Sequence, residues 1–262
     1  MSFQPILPGG GLVGWAFLQR TMAEQKAAFE NTPAISRDTD HFKEKIGGIK
    51  TAEDLVDDRR LLRVALGAFG LQDDIDNRFF VRKLLEEGTL KQDSLANRMA
   101  DKRYVAFVKA FGFGDFDTPR TQLSTFGAEI VGKYRDRAFE VAVGEQEEPM
   151  RLALNAAREL EDLANSSVSD NAKWFTIMGA PPLRSVFETA LGLPASFGQI
   201  DLDQQLETLR SKTQRMTGNG EISQFADPEK REDLIQRFML MSQIAEVTTY
   251  SAGSVALTLL RS

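Results

Sequence analysis

Ala68-Phe69-Gly70-Leu71, Ala110-Phe111-Gly112-Phe113 and Ala190-Leu191-Gly192-Leu193 repeat one order of residues: small, large apolar, glycine, apolar. That order is the chemistry of a helix stop. Glycine takes the left-handed conformation just past the last turn, and the apolar residue beyond it folds back onto that turn. Upstream of the first two stops, Asp58 to Phe69 and Asp101 to Phe111 read as amphipathic helices. The third unit opens near Trp174 and restarts at Pro181-Pro182, a favourable helix beginning. The spacing predicts an all-α fold, a multi-helix domain built from repeated helix-turn-helix units, with N- and C-terminal helices that can pair.

Outward from these units the period stays helical. Trp15, Leu18, Met22, Gln25 and Phe29 alternate three- and four-residue steps, which predicts a helix over 12–29 closed by Pro33, with a short helix from about Asp38. Thr51-Ala52-Glu53-Asp54 resembles a capping box. Phe79, Phe80, Leu84 and Leu85 mark a further helix, Leu95 and Met99 a shorter one, and Pro119 to about Val143 a long one. Asp201 to Met216 forms another, ended by Gly218-Asn219-Gly220, and Asp227-Pro228 opens the terminal helix. The Pro- and Gly-rich residues 1–11 read as a flexible arm. Residues 12–262 read as one all-α domain, with a subdivision near the polar stretch 166–170.

Composition bounds function. The chain has 262 residues, 42% of them hydrophobic, which is enough for a sizeable core. Eighteen Phe stand against three Tyr and two Trp, so most aromatic surface lacks a polar handle and suits core filling. Thirty-two basic and 38 acidic residues are interspersed, which leaves no nucleic-acid footprint. The absence of cysteine excludes disulfides, thiolate metal sites and thiol nucleophiles. No Sec-type signal opens the chain, and no apolar run reaches the ~20 residues of a membrane span, so the expectation is a soluble protein without membrane insertion.

Catalytic motifs dissolve on inspection. Gly9-Gly10-Gly11-Leu12-Val13-Gly14 matches G-x-G-x-x-G, but Pro5 and Pro8 stand where a dinucleotide site needs a strand. Gly127 to Lys133 has P-loop spacing, yet Tyr134 replaces the hydroxyl ligand and the segment reads as mid-helix. His41 is the sole histidine, with no identifiable nucleophile or orienting acid. Asp57-Asp58, Asp73-Asp74-Asp76 and Glu145-Glu147-Glu148 fall at helix beginnings, where the dipole favours negative charge. No catalytic, cofactor-binding or metal-ligating residue is assigned. Two heptad-like seams remain as candidate interaction surfaces: Trp15, Leu18, Met22 and Phe29 at one end, and Leu234, Phe238, Met241, Val255 and Leu259 at the other. They serve either as ordinary core helices or as pairing surfaces.

Residues 57–71, 94–104, 110–113 and 183–194 together resemble the bacterial DUF1217 family, whose members tend to be encoded among flagellar genes of alphaproteobacteria. The resemblance implies an all-α fold and supplies no catalytic residue. It points to a non-enzymatic flagellum-associated structural or assembly protein, cytoplasmic or exported to the flagellum, with flagellar components or further copies of the chain as partners. A cytoplasmic helical adaptor or export chaperone is the first alternative. An all-α hydrolase acting on peptidoglycan is the second.

Overall fold

The computed structural model describes the backbone of residues 3–261 and the side chains of residues 3–245. Thirteen α-helices and five 3-10 turns make up its regular structure, with no strand among the described residues. The chain is all-α. Its contacts divide it into two compact units, Met1–Ile6 with Thr21–Ala142, and Leu7–Arg20 with Val143–Ser262. Helix α1 (Gly11–Glu30) contributes its first half to the second unit and its other half to the first. Ser166–Asp170 lies inside the second unit.

The first unit contains α2 (Pro33–Lys45), α3 (Ala52–Asp57), α4 (Arg59–Gly67), α5 (Arg78–Glu87), α6 (Leu95–Arg98), α7 (Arg103–Phe111) and most of α8 (Phe126–Gly144). Phenylalanine fills its centre. The fully buried Phe111 ring meets Phe69, Phe107, Phe113 and Phe126, with centroids 6.4, 5.2, 5.9 and 5.1 Å away. Such edge-on and offset contacts add attraction beyond burial alone. A second ring series runs from Phe3 to Phe29 and on to Phe139.

The second unit contains α9 (Glu148–Asn165), α10 (Asp170–Met178), α11 (Pro181–Ala190), α12 (Leu202–Thr217) and α13 (Pro228–Arg261). Helix α9 packs on α11, α13 and the turn Ile222–Ala226. Trp174 and Phe225 close edge-on upon Phe187, while the Trp174 indole N–H donates to the Gly220 carbonyl at 3.1 Å. Lys173 is buried, and its ammonium donates to the Ala164 carbonyl at 2.6 Å. A cation at the C-terminal end of α9 complements both the unpaired carbonyls and the helix dipole.

All three glycine stops form, by two different devices. At α4 and α11 the stop is a Schellman motif: Leu71 N–H bonds the Leu66 carbonyl, and Leu193 N–H bonds that of Glu188. Gly70 and Gly192 take φ of +70° and +61°. At α7 the stop is the simpler left-handed cap, in which Gly112, at φ +70°, donates to Val108 at 2.9 Å. The capping box at Thr51 is complete, with Asp54 N–H donating to Thr51 Oγ1 and Thr51 N–H to Asp54, both at 3.1 Å.

Two boundaries differ from the sequence reading. Pro33 does not merely close the first helix: it occupies the opening turn of α2, where a missing N–H costs nothing, so α2 begins before Asp38. Pro119 to Thr125 forms a 3-10 turn and a bend, and α8 starts only at Phe126. Phe79, read with the apolar side of its helix, is 82% exposed, whereas Val81, Leu84 and Leu85 are buried.

Candidate functional site

A gathering of charged side chains in the first unit lies between α2 and α4, around the single histidine. Asp38 lies on the inner side of α2 with its carboxylate only 12% exposed. It accepts from Arg60 Nε at 3.2 Å and from Arg63 Nη1 at 2.7 Å, both on α4. The same Arg60 donates to the Arg37 carbonyl at 2.6 Å. One turn further along α2, His41 Nε2 lies 2.7 Å from Asp58 Oδ2. The other Asp58 oxygen caps α4, accepting from Arg60 N at 2.9 Å and Leu61 N at 3.1 Å.

These bonds define what the cluster does. Each carboxylate is taken up by donors that fix one helix against another, and Asp58 serves at once as helix cap and histidine partner. Partial burial works to raise the Asp58 carboxyl, but the His41 hydrogen bond and the two amides at the start of α4 outweigh it and hold it below the ordinary aspartate value. A depressed folded pKa contributes stability that is present above the unfolded aspartate value of about 3.9 and is lost as pH falls through the folded value. The stability difference between wild type and Asp58→Asn, followed by urea midpoint, should therefore shrink as pH drops from about 5 to about 2. A difference independent of pH would remove the charge contribution from the cap.

The other carboxylate runs also sit at helix boundaries. Asp74 accepts from Asn77 Nδ2 at 2.9 Å and from the Tyr104 hydroxyl at 2.7 Å. Burial, reinforced by that bond, pushes the Tyr104 phenol up to about 12. Asp76 pairs with Arg59, Glu147 sits at the cap of α9, and Glu148 pairs with Arg151. Among the described residues no group of His, Asp or Glu is placed to hold a metal ion.

The glycine motifs belong to helices. Gly11 opens α1 at φ +64°, and Gly14 lies so close to the Gly9 carbonyl that a Cβ there would overlap it. Gly127 to Lys133 lies within α8, where Lys133 pairs with Glu129 one turn away at 2.9 Å.

The seam residues divide between the units. Trp15, Leu18, Leu234 and Phe238 are buried in the second unit, Phe29 is buried in the first, and Met22 and Met241 are half-buried. Glu232 joins the two helices: Trp15 Nε1 donates to Oε1 at 3.0 Å and Gln19 Nε2 to Oε2 at 2.7 Å. Side chains Val255 and Leu259 lie outside the described residues. An open groove of about 570 Å³ follows α12, lined by Asp203, Glu207, Arg210 and Glu221 among others. Its Arg210 is already bonded to Asp170 at 2.6 Å. Sequence periodicity could not have indicated the Asp38, Asp58 and Glu232 pairings, which join residues 17 to 217 positions apart.

The family profile described as "Protein of unknown function (DUF1217)" matches residues 68–230. No curated protein matches the chain. A crystal structure of an Agrobacterium tumefaciens protein, solved within a structural genomics programme, is similar with a TM-score of 0.73 and 24% identity. The match covers 93% of this chain and 98% of that one, and it shows a shared fold. Among the described residues, no helix is long and apolar enough to cross a membrane.

Proposed function

We propose, from the premise that this chain belongs to the DUF1217 family, that it is a non-enzymatic structural or assembly protein of the bacterial flagellum. The observation that supports this reading is the terminal helix. At 34 residues, α13 has a length of about 51 Å. Leu234, Ile235, Phe238 and Met239 are buried, but from Gln243 to Ala245 the side chains are exposed, and the helix continues to Arg261. The sequence from Val247 to Leu260 carries no charge. A long helix whose sequence continues through an uncharged, largely apolar stretch suits assembly by helix contacts.

The resemblance directs the choice of assembly, since family members tend to be encoded with flagellar genes. Deletion of the gene should reduce the swimming radius in soft agar, with restoration by the full chain and none by a chain ending at Gln243. Unchanged motility in the deletion strain would sink the flagellar reading.

A further inference from the structure

Asn219-Gly220 is the one Asn-Gly step in the chain, and it follows the left-handed Gly218, at φ +81°, that closes α12. Packing requires its glycine: a Cβ at Gly220 would stand 3.1 Å from the Arg210 carbonyl. The Asn219 carbonyl accepts from Thr217 Oγ1 at 2.8 Å and Gln224 Nε2 at 2.6 Å, and the Gly220 carbonyl accepts from Trp174 Nε1 at 3.1 Å. The Asn219 side-chain oxygen accepts from Glu221 N–H at 2.9 Å. That Asx turn closes a ring of atoms to which both Asn219 Cγ and the Gly220 nitrogen belong. Among the described residues, neither Gly220 N–H nor the Asn219 side-chain nitrogen has a partner.

At Asn165-Ser166 the same two groups are committed. The Asn165 amide donates to the Glu161 carbonyl at 2.8 Å, and Ser166 N–H donates to that of Leu163 at 3.2 Å. Asn219 is exposed, and with Gly220 and Glu221 it lines the open groove along α12, where water reaches the linkage. A main-chain N–H outside any hydrogen bond gives up its proton to hydroxide more readily than one locked in a helix end, and glycine has no Cβ to obstruct its nitrogen. Glu221 N–H already meets the oxygen that gathers negative charge when Cγ is attacked.

We infer that Asn219 is a site of covalent self-modification, in which the chain's own Gly220 nitrogen deamidates the asparagine. That nitrogen gives its proton to hydroxide and bonds Asn219 Cγ. The bond from Cγ to the side-chain nitrogen breaks, and this nitrogen takes a proton from water and leaves as ammonia. The product is a cyclic succinimide. Water adding at Cγ reopens it to aspartate, and water adding at the main-chain carbonyl reopens it to isoaspartate, whose chain runs through Cβ and Cγ. Nothing is oxidised or reduced. Isoaspartate lengthens the main chain by one carbon just before Gly220, so the carbonyl that holds the buried Trp174 indole is displaced. The modification acts on the packing of the second unit and is independent of any flagellar role.

The test ages the full chain in mildly alkaline buffer, folded and in parallel unfolded in urea. Digests are then read by peptide mass spectrometry and by isoaspartyl methyltransferase labelling. In the folded chain Asn219 should convert at no less than about a tenth of its unfolded rate, while Asn165 is slowed more than about tenfold. The Asn219 peptide should gain about 1 Da as oxygen replaces NH. Asn219→Gln, which would have to close a larger ring, should lose the label. In spectra of the isotope-labelled chain, the Trp174 indole signal should move in the isoaspartyl fraction while that of Trp15 stays. Slower conversion of folded Asn219 than that limit, equal slowing at Asn165 and Asn219, or label that persists in Asn219→Gln would overturn the site. An unmoved Trp174 signal would overturn its effect on the indole.

Discussion

Replacing Phe111 by alanine is expected to lower the unfolding free energy by about 3–5 kcal/mol, among the largest single effects in the first unit. The ring is fully buried and contacts four other phenylalanines, so its removal takes away transfer free energy and leaves a void bounded by rings. Those neighbours are anchored on three different stretches, α4 to its stop, α7 with the turn after it, and the start of α8, and cannot all collapse inward together. Phe111→Leu retains most of the volume and should cost much less. Both described tryptophans, Trp15 and Trp174, lie in the second unit, so the loss is best followed by hydrogen exchange at the amides of α7. A change below about 1 kcal/mol would mean that the ring cluster is not a packed centre.

Trp174→Ala should be comparably severe in the second unit, again about 3–5 kcal/mol. The indole is fully buried, meets Phe187 at 5.3 Å and ties the turn after α12 through the Gly220 carbonyl. Trp174→Phe separates the two contributions. It keeps an aromatic body against Phe187 but leaves the Gly220 carbonyl without its donor, an expected loss of about 1–3 kcal/mol. Urea titrations monitored by circular dichroism should rank alanine below phenylalanine and both below wild type. Equal losses for the two variants would assign the residue's whole contribution to the hydrogen bond.

What the sequence made legible was local chemistry. The glycine stops, the Thr51 capping box and the placing of Asp57-Asp58 at a helix beginning all depend on residues within about five positions of each other. The phenylalanine interior was legible as well, since apolar residues at helical spacing must find one another. Partnerships across the chain were not legible. Nothing near Asp38 announces Arg60 and Arg63, and nothing near Gln25 marks it as the receiver of Ile6. Periodicity says which face turns inward but not which element it meets. Phe79 shows the converse: its type suits the interior, but the register of α5 is set by Val81, Leu84 and Leu85, leaving Phe79 outside. The misread opening of α2 has a similar origin, because proline ends one helix and begins another with the same fixed φ.

The two kinds of helix stop carry different tolerances under one spelling. In the Schellman form, the amides of Leu71 and Leu193 are committed to carbonyls five residues back, so an imino acid at either position would undo the lock even with its glycine intact. In the left-handed form, the closing hydrogen belongs to Gly112 itself, and the requirement ends one residue earlier. Drift at the position after each glycine is consequently governed by backbone wiring, which four matching letters conceal.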